Sequence, residues 1–225
     1  MAQAPAPKPR TSLAGVAVPL VASLGVVGLG VAWFAQESQR PSLPATPPQG
    51  CILGGLDRVG GPIALQDING RPVTEADFAE GPSLVYFGFT HCPDICPTTM
   101  YLIADALNQL GPEGASLQPI LITVDPERDT TDVMDAYVDT SGFPEGLVGL
   151  TGTPDQVRAV AVDGFKVSYR KVQVEGATDY TIDHSSMAYV MDDAWRTRAL
   201  YNTIGGTPEG LAGCIRMALS PESGE

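Results

Sequence analysis

Beyond about residue 60 the apolar residues fall into short blocks of two different periods. In "GPIALQDINGRPVT", residues 61–74, Ile63 and Leu65 alternate with polar neighbours and Asn69-Gly70 supplies a turn, which predicts a β-hairpin. Residues 83–89 ("SLVYFGF") and 117–124 ("LQPILITV") are continuous apolar runs too short for helices, and read as buried strands. "LVGLT", residues 147–151, reads as a shorter one. Met100, Ile103, Leu107 and Leu110 recur at helical spacing, which predicts a helix opened by Pro97 and stopped by Gly111-Pro112. Thr130 or Thr131 can cap a helix running toward Val138. Thr153-Pro154 opens another to about Val162, and Thr207-Pro208 a last one to about Leu219. Residues 165–170, 187–191 and 199–202 are further strand candidates.

The resulting order is a hairpin, then β, α, β, α, β, α, then mainly β, then a helix. Such alternation implies an α/β sheet covered on both faces. A buried strand that delivers cysteines to a helix N-terminus is the thioredoxin arrangement. The expected fold is therefore thioredoxin-like, with an added N-terminal β-hairpin, over residues 60–220 and followed by a short tail, 221–225.

The pattern before residue 60 differs. Residues 12–35 form 24 positions without a charge, long enough at about 1.5 Å per residue to cross a hydrocarbon core of about 30 Å. The run is longer than a signal-peptide core, and Trp33 would occupy the −3 position of a cleavage site after Ala35. One uncleaved transmembrane helix is the expectation. Lys8 and Arg10 in residues 1–11 mark that tail as cytoplasmic, so the remainder is exported. Residues 36–59 are proline-rich at their start and read as a stiff linker. After Ala35 stand 26 acidic residues against 11 basic ones, a formal −15. That balance disfavours nucleic acid and anionic lipid surfaces. It permits a basic protein partner or a cation, though solubility alone also explains it.

The candidate chemistry lies in "FTHCPDICPTTM", residues 89–100. Cys92 and Cys96 stand between a buried strand and a helix, where the helix N-terminus favours thiolate over thiol. Thiolates attack disulfides and also ligate soft metals. Three residues separate the sulfurs, a spacing that allows a disulfide or convergence on one ion. His91 adjoins Cys92 and is poorly placed to share an ion with it. His184, in a loop leading to the apolar strand 187–191, is the other histidine, and a thioredoxin-like sheet can return it beside the cysteines. Two thiolates and an imidazole suit copper in either oxidation state, whereas a structural zinc needs a fourth ligand. Met100 and Met187 are soft donors better explained by core packing. A plain loop histidine and a plain Cys92–Cys96 staple are the competing readings.

"FGFTHCPDICPTTM", "VDPERDT" and "DHSSMAYVMD" together resemble the Sco/SenC family, and the hairpin resembles that family's domain opening. The resemblance implies a membrane-anchored, thioredoxin-fold protein holding one copper ion, Cu(I) or Cu(II), through Cys92, Cys96 and His184. It implies a metallochaperone acting on the CuA-bearing subunit of cytochrome c oxidase, by delivering copper or by reducing that subunit's cysteines. A periplasmic copper donor or thiol reductant is a further implied partner. The implied place is the bacterial inner membrane with the domain in the periplasm, or the mitochondrial inner membrane with the domain in the intermembrane space. Asp125 and Arg128 match a family segment near the site and are assigned structure or partner docking. Cys51 and Cys214 are outside the family pattern. Cys51 lies just before the domain and Cys214 in its last helix, and chain ends of compact domains often lie close, so a disulfide between them is expected. The alternative function is a tethered thiol–disulfide oxidoreductase with Cys92 and Cys96 as its redox pair. A peroxide-reducing enzyme of the same fold is disfavoured, because no arginine lies near Cys92 in sequence.

Overall fold

The most apolar of the expected strands sits at the centre of the molecule. The computed structural model describes residues 46–174, 176 and 179–220. In chain order the strands are β1 (Cys51–Leu53), β2 (Ala64–Asp67), β3 (Pro72–Thr74), β4 (Ser83–Gly88), β5 (Gln118–Thr123), β6 (Val148–Thr151), β7 (Tyr169–Gln173), β8 (Tyr180–His184), β9 (Met187–Met191) and β10 (Thr197–Asn202). The helices are α1 (Ile95–Leu110), α2 (Pro112–Ala115), α3 (Thr131–Val138), α4 (Pro154–Arg158) and α5 (Pro208–Leu219). Eight strands form one sheet of order β1-β10-β9-β4-β5-β6-β2-β3, and β7 and β8 form a separate two-stranded sheet. β4 pairs in parallel with β5, and β5 with β6, while β9 runs antiparallel to β4. All six β4 residues are buried, as expected for a strand covered on both faces. This is the thioredoxin-like α/β arrangement with its added hairpin.

Local chemistry explains most boundaries. In the β2–β3 hairpin the Asp67 carboxylate accepts from the Asn69 and Arg71 backbone N–H groups, and Gly70 takes the left-handed turn position at φ +73°. α1 begins two residues earlier than Pro97 predicts, with Asp94 at the N-cap, so Cys96 lies inside the first turn. Pro97 is tolerated there because the first turn's N–H groups have no intrahelical acceptor. The first helical bond runs from Thr98 N–H to the Asp94 carbonyl. Met100, Ile103 and Leu110 are buried on this helix and Leu107 packs at the core's edge.

Two expectations need correction. The strand expected at 165–170 is displaced to β7. The chain instead continues from α4 through a π-helical turn over Ala159–Gly164, and Lys166 takes φ 61° between buried Phe165 and Val167. The segment before His184, expected to be a loop, is strand β8, which pairs with β7 in the register Tyr169 to His184. Its polar content hid it: only Ile182 of its five side chains is buried.

Cys51–Leu53, in the stretch read as linker, adds the edge strand β1 against β10. Cys51 is disulfide-bonded to Cys214 of α5, with their Cα atoms 5.6 Å apart. The transmembrane helix expected at 12–35 lies outside the described residues. Among the described residues no helix is long and apolar enough to cross a membrane.

Candidate metal and thiol centre

The end of β4 and the start of α1 place the two sulfurs. Cys96 is fully buried, and Cys92 is half-buried at the mouth of the helix. Cys96 N–H donates to Cys92 Sγ at 3.3 Å, using one of the helix's unpaired donors. The Cys96 thiol donates to the Cys92 sulfur as well, and this is the largest cause of the Cys92 pKa being lowered to about 5. Backbone N–H groups of Cys96 and Asp94 act in the same direction, against partial burial. Cys96 is pushed up, first because its proton is held by the Cys92 thiolate and then because it is buried. At neutral pH the two sulfurs therefore share a single proton: Cys92 is the half-buried thiolate and Cys96 the fully buried thiol.

Gly88 makes room for the inner sulfur. A Cβ on residue 88 would lie 2.9 Å from the Tyr86 ring, 3.2 Å from Cys96 Sγ and 3.3 Å from Leu121 Cδ1. Tyr86, two residues back on β4, directs its hydroxyl toward Cys96 Sγ at 4.0 Å. The same hydroxyl is 3.0 Å from Ser186 Oγ, which is 2.7 Å from Thr203 Oγ1. Burial pushes the Tyr86 phenol up, with the adjacent Cys96 sulfur adding to it, so it remains a proton donor.

His184 arrives from β8. Its Nε2 lies 3.7 Å from Cys96 Sγ, although 88 residues separate them in sequence. Its Nδ1 is 3.1 Å from the Ser185 carbonyl, which can only accept. Nδ1 therefore carries a proton, and in the neutral tautomer this leaves Nε2 to present a lone pair toward the sulfur. Tyr86 and Phe89 pack edge-on against the imidazole, with ring centroids 6.2 and 5.9 Å away. Among the described residues no three His, Cys, Asp or Glu side chains are already closed into a metal cage. Instead, a shared proton joins the two sulfurs and the imidazole stands in contact with the inner one. The donor set of thiolate, thiol and imidazole lone pair nevertheless fits a soft ion, with Nδ1 oriented by a carbonyl as metal-ligating histidines are.

The remaining candidates lie elsewhere. Met100 is in the core and Met187 packs beside it. His91 is exposed, its Nδ1 3.0 Å from Thr90 Oγ1 and 3.8 Å from buried Asp129. Sequence reasoning overlooked Gly88, Tyr86, Ser186 and Tyr180. For Tyr86 a signal was present, since it is the one hydroxyl-bearing ring in a wholly apolar run and has to find a partner.

A thioredoxin-like sheet with a Cys-x3-Cys pair at its first long helix and an imidazole closing on the inner sulfur defines a class: dithiol domains fitted to bind or reduce. The chain belongs to the SCO1/SenC family, whose model matches residues 54–220. It is 40% identical over 138 residues to the mitochondrial protein SCO1 homolog 1 of Arabidopsis thaliana, a match covering 61% of this chain and 40% of that protein. The chain thus spans less than half the length of that relative. Among solved structures, Bradyrhizobium japonicum ScoI with copper bound is 38% identical, with a TM-score of 0.62 over 72% of this chain and 99% of that one. Arabidopsis thaliana ScoI with copper bound is 34% identical, with a TM-score of 0.66 over 72% and 98%.

Proposed function

We propose that the protein is a copper metallochaperone that binds one ion, Cu(I) or Cu(II), through Cys92 Sγ, Cys96 Sγ and His184 Nε2. The observation that carries this reading is the approach of His184 Nε2 to within 3.7 Å of the buried Cys96 sulfur. The copper-bound ScoI relatives support the choice of ion. Copper entry displaces the proton shared by the sulfurs, so capture releases it to solvent. Three ligands leave one side open, from which an acceptor thiolate can attack and take the ion by ligand exchange. Two-electron oxidation of the dithiol by a partner disulfide, whose sulfurs leave as two reduced thiols, forms a Cys92–Cys96 disulfide, removes both thiolates and ejects the ion.

The acceptor is the CuA-bearing subunit of cytochrome c oxidase, a role consistent with the family. The protein is tethered by residues 12–35 with its domain exported, in the periplasm or the intermembrane space. The Cys51–Cys214 bond supports an oxidising compartment. Copper titration of the reduced exported fragment, followed by absorption and paramagnetic resonance, tests the site. One equivalent is expected to bind with sulfur-to-copper charge transfer and nitrogen coupling. His184→Ala is expected to lose the nitrogen coupling and most of the affinity. Unchanged copper retention in that variant rejects the ligand set.

The low Cys92 pKa favours a second reading, thiol–disulfide exchange. The Cys92 thiolate attacks a partner disulfide and forms a mixed disulfide, releasing one partner thiolate. Cys96 then gives up its proton and attacks the Cys92 sulfur, so two electrons pass to the partner and both of its thiols leave reduced. Wild-type turnover by metal-free His184→Ala separates this activity from copper transfer.

A further inference from the structure

The strand carrying His184 belongs to no part of the main sheet. Among the described residues β7 is the only strand that pairs with β8, and the two form their own two-stranded sheet. An isolated two-stranded ribbon is marginal in water, so its position has to come from side chains. We propose that Arg128, with Asp125 and Tyr180, is the positioning device that holds the β7–β8 hairpin so that His184 meets the sulfurs. The inference rests on the copper site proposed above and deepens it.

Arg128 follows β5 in the "VDPERDT" loop. Its Nε donates to Asp125 Oδ2, and its Nη1 donates to the Tyr180 carbonyl and to Asp179 Oδ1, both at 2.9 Å. The guanidinium lies 3.8 Å from the centroid of the Tyr180 ring. The Tyr180 hydroxyl donates to the other Asp125 oxygen, Oδ1, at 2.8 Å. Asp125 is fully buried and its N–H donates to Thr123 Oγ1, which roots the cluster in β5. From β7, Lys171 adds its ammonium 4.6 Å from the Tyr180 ring and pairs with Glu127 of the same loop. One side chain thus touches the backbone, the ring and the carboxylate neighbour of the first β8 residue, and His184 is the last.

The loop serves the sulfurs too. Val124 N–H donates to the Gly88 carbonyl at 2.8 Å, and Gly88 is the position whose missing Cβ admits Cys96 Sγ. One short stretch therefore sets both the shelf under the inner sulfur and the hairpin that brings the imidazole. A partly buried, forked guanidinium suits this use, because its donors are fixed in a plane and a lysine cannot reproduce them.

The test is a double-mutant cycle on copper affinity with Arg128→Gln, Tyr180→Phe and His184→Ala, and with Arg128→Lys as the conservative variant. Arg128→Gln is expected to weaken copper binding about tenfold or more and to alter the nitrogen coupling. Tyr180→Phe is expected to do so by less, and Arg128→Lys to recover only part. In the His184→Ala background Arg128→Gln is expected to add nothing. Cys92 alkylation and far-ultraviolet dichroism should stay at wild-type values, which excludes a global unfolding effect. A metal-free readout accompanies these: the amides of Thr181 and Asp183, which stand in the hydrogen-bonded positions opposite Val172 and Arg170, should lose hydrogen-exchange protection in Arg128→Gln. If the wild type binds no copper, the ligand proposal fails, and the exchange readout alone decides the clamp. Wild-type protection and affinity in Arg128→Gln, or full additivity with His184→Ala, overturns it.

Discussion

Cys92 and Cys96 differ in burial by one helical turn, and that difference assigns their roles. The outer sulfur accepts from the inner thiol and from helix N–H groups, so it is a thiolate above about pH 5. Alkylation of the reduced protein should rise through a midpoint near pH 5 and plateau by neutrality, and a midpoint near 9 would refute the pairing. The stability effect has a definite sign. Between about pH 5 and 9 the folded pair holds one proton while the unfolded thiols hold two, so folding stability rises with pH across that window. It is lost as pH falls through about 5. Cys92→Ser should flatten the rise in urea unfolding measured under reduction. Gly88 acts at the same scale. Gly88→Ala should cost about 1–3 kcal/mol through overpacking and disturb Cys96 with it. Both changes can be read by thermal unfolding and by thiol titration. Of these residues the cysteines and His184 were legible in the sequence, because their chemistry is rare and their spacing distinctive. Gly88 and Tyr180 were not, since what matters about them is the atom each one faces.

At the scale of elements, pattern succeeded where burial was one-sided or complete. β4 and β5 read as apolar runs and α1 by its period, and they are the scaffold of the sulfurs. The start of α1 was misplaced by two residues because proline is equally at home in the first turn as at its first position. That shift matters: it puts Cys96 in the helix, with its N–H aimed at Cys92. β7 and β8 escaped notice for the opposite reason. A ribbon with one buried side chain in its second strand carries almost no periodic signal. Its position is set by a guanidinium and a carboxylate that meet its own Tyr180 across more than 50 positions of sequence. Lys166, with its left-handed backbone between two buried residues, marks where the chain leaves the helical turn for that ribbon.

For the whole molecule, the sheet's long-range order depends on partners far apart in sequence, which local pattern does not encode, whereas the closure of its ends was expected from the placing of Cys51 and Cys214. The Cys51–Cys214 bond closes a 163-residue separation. Restricting so long a loop in the unfolded chain is worth about 2–5 kcal/mol. The Cys51→Ser/Cys214→Ser double variant should lose about that much in urea unfolding yet bind copper with unchanged stoichiometry. Loss of binding would instead show that the bridge supports the site. Among the described residues β1, three residues long, pairs with a strand on one side only, β10. Such a strand is the easiest part of a sheet to unzip when its leading end is dragged. The covalent bolt at its first residue carries that load into α5, so tension from the segment ahead of Cys51 reaches the body of the domain without peeling away its border.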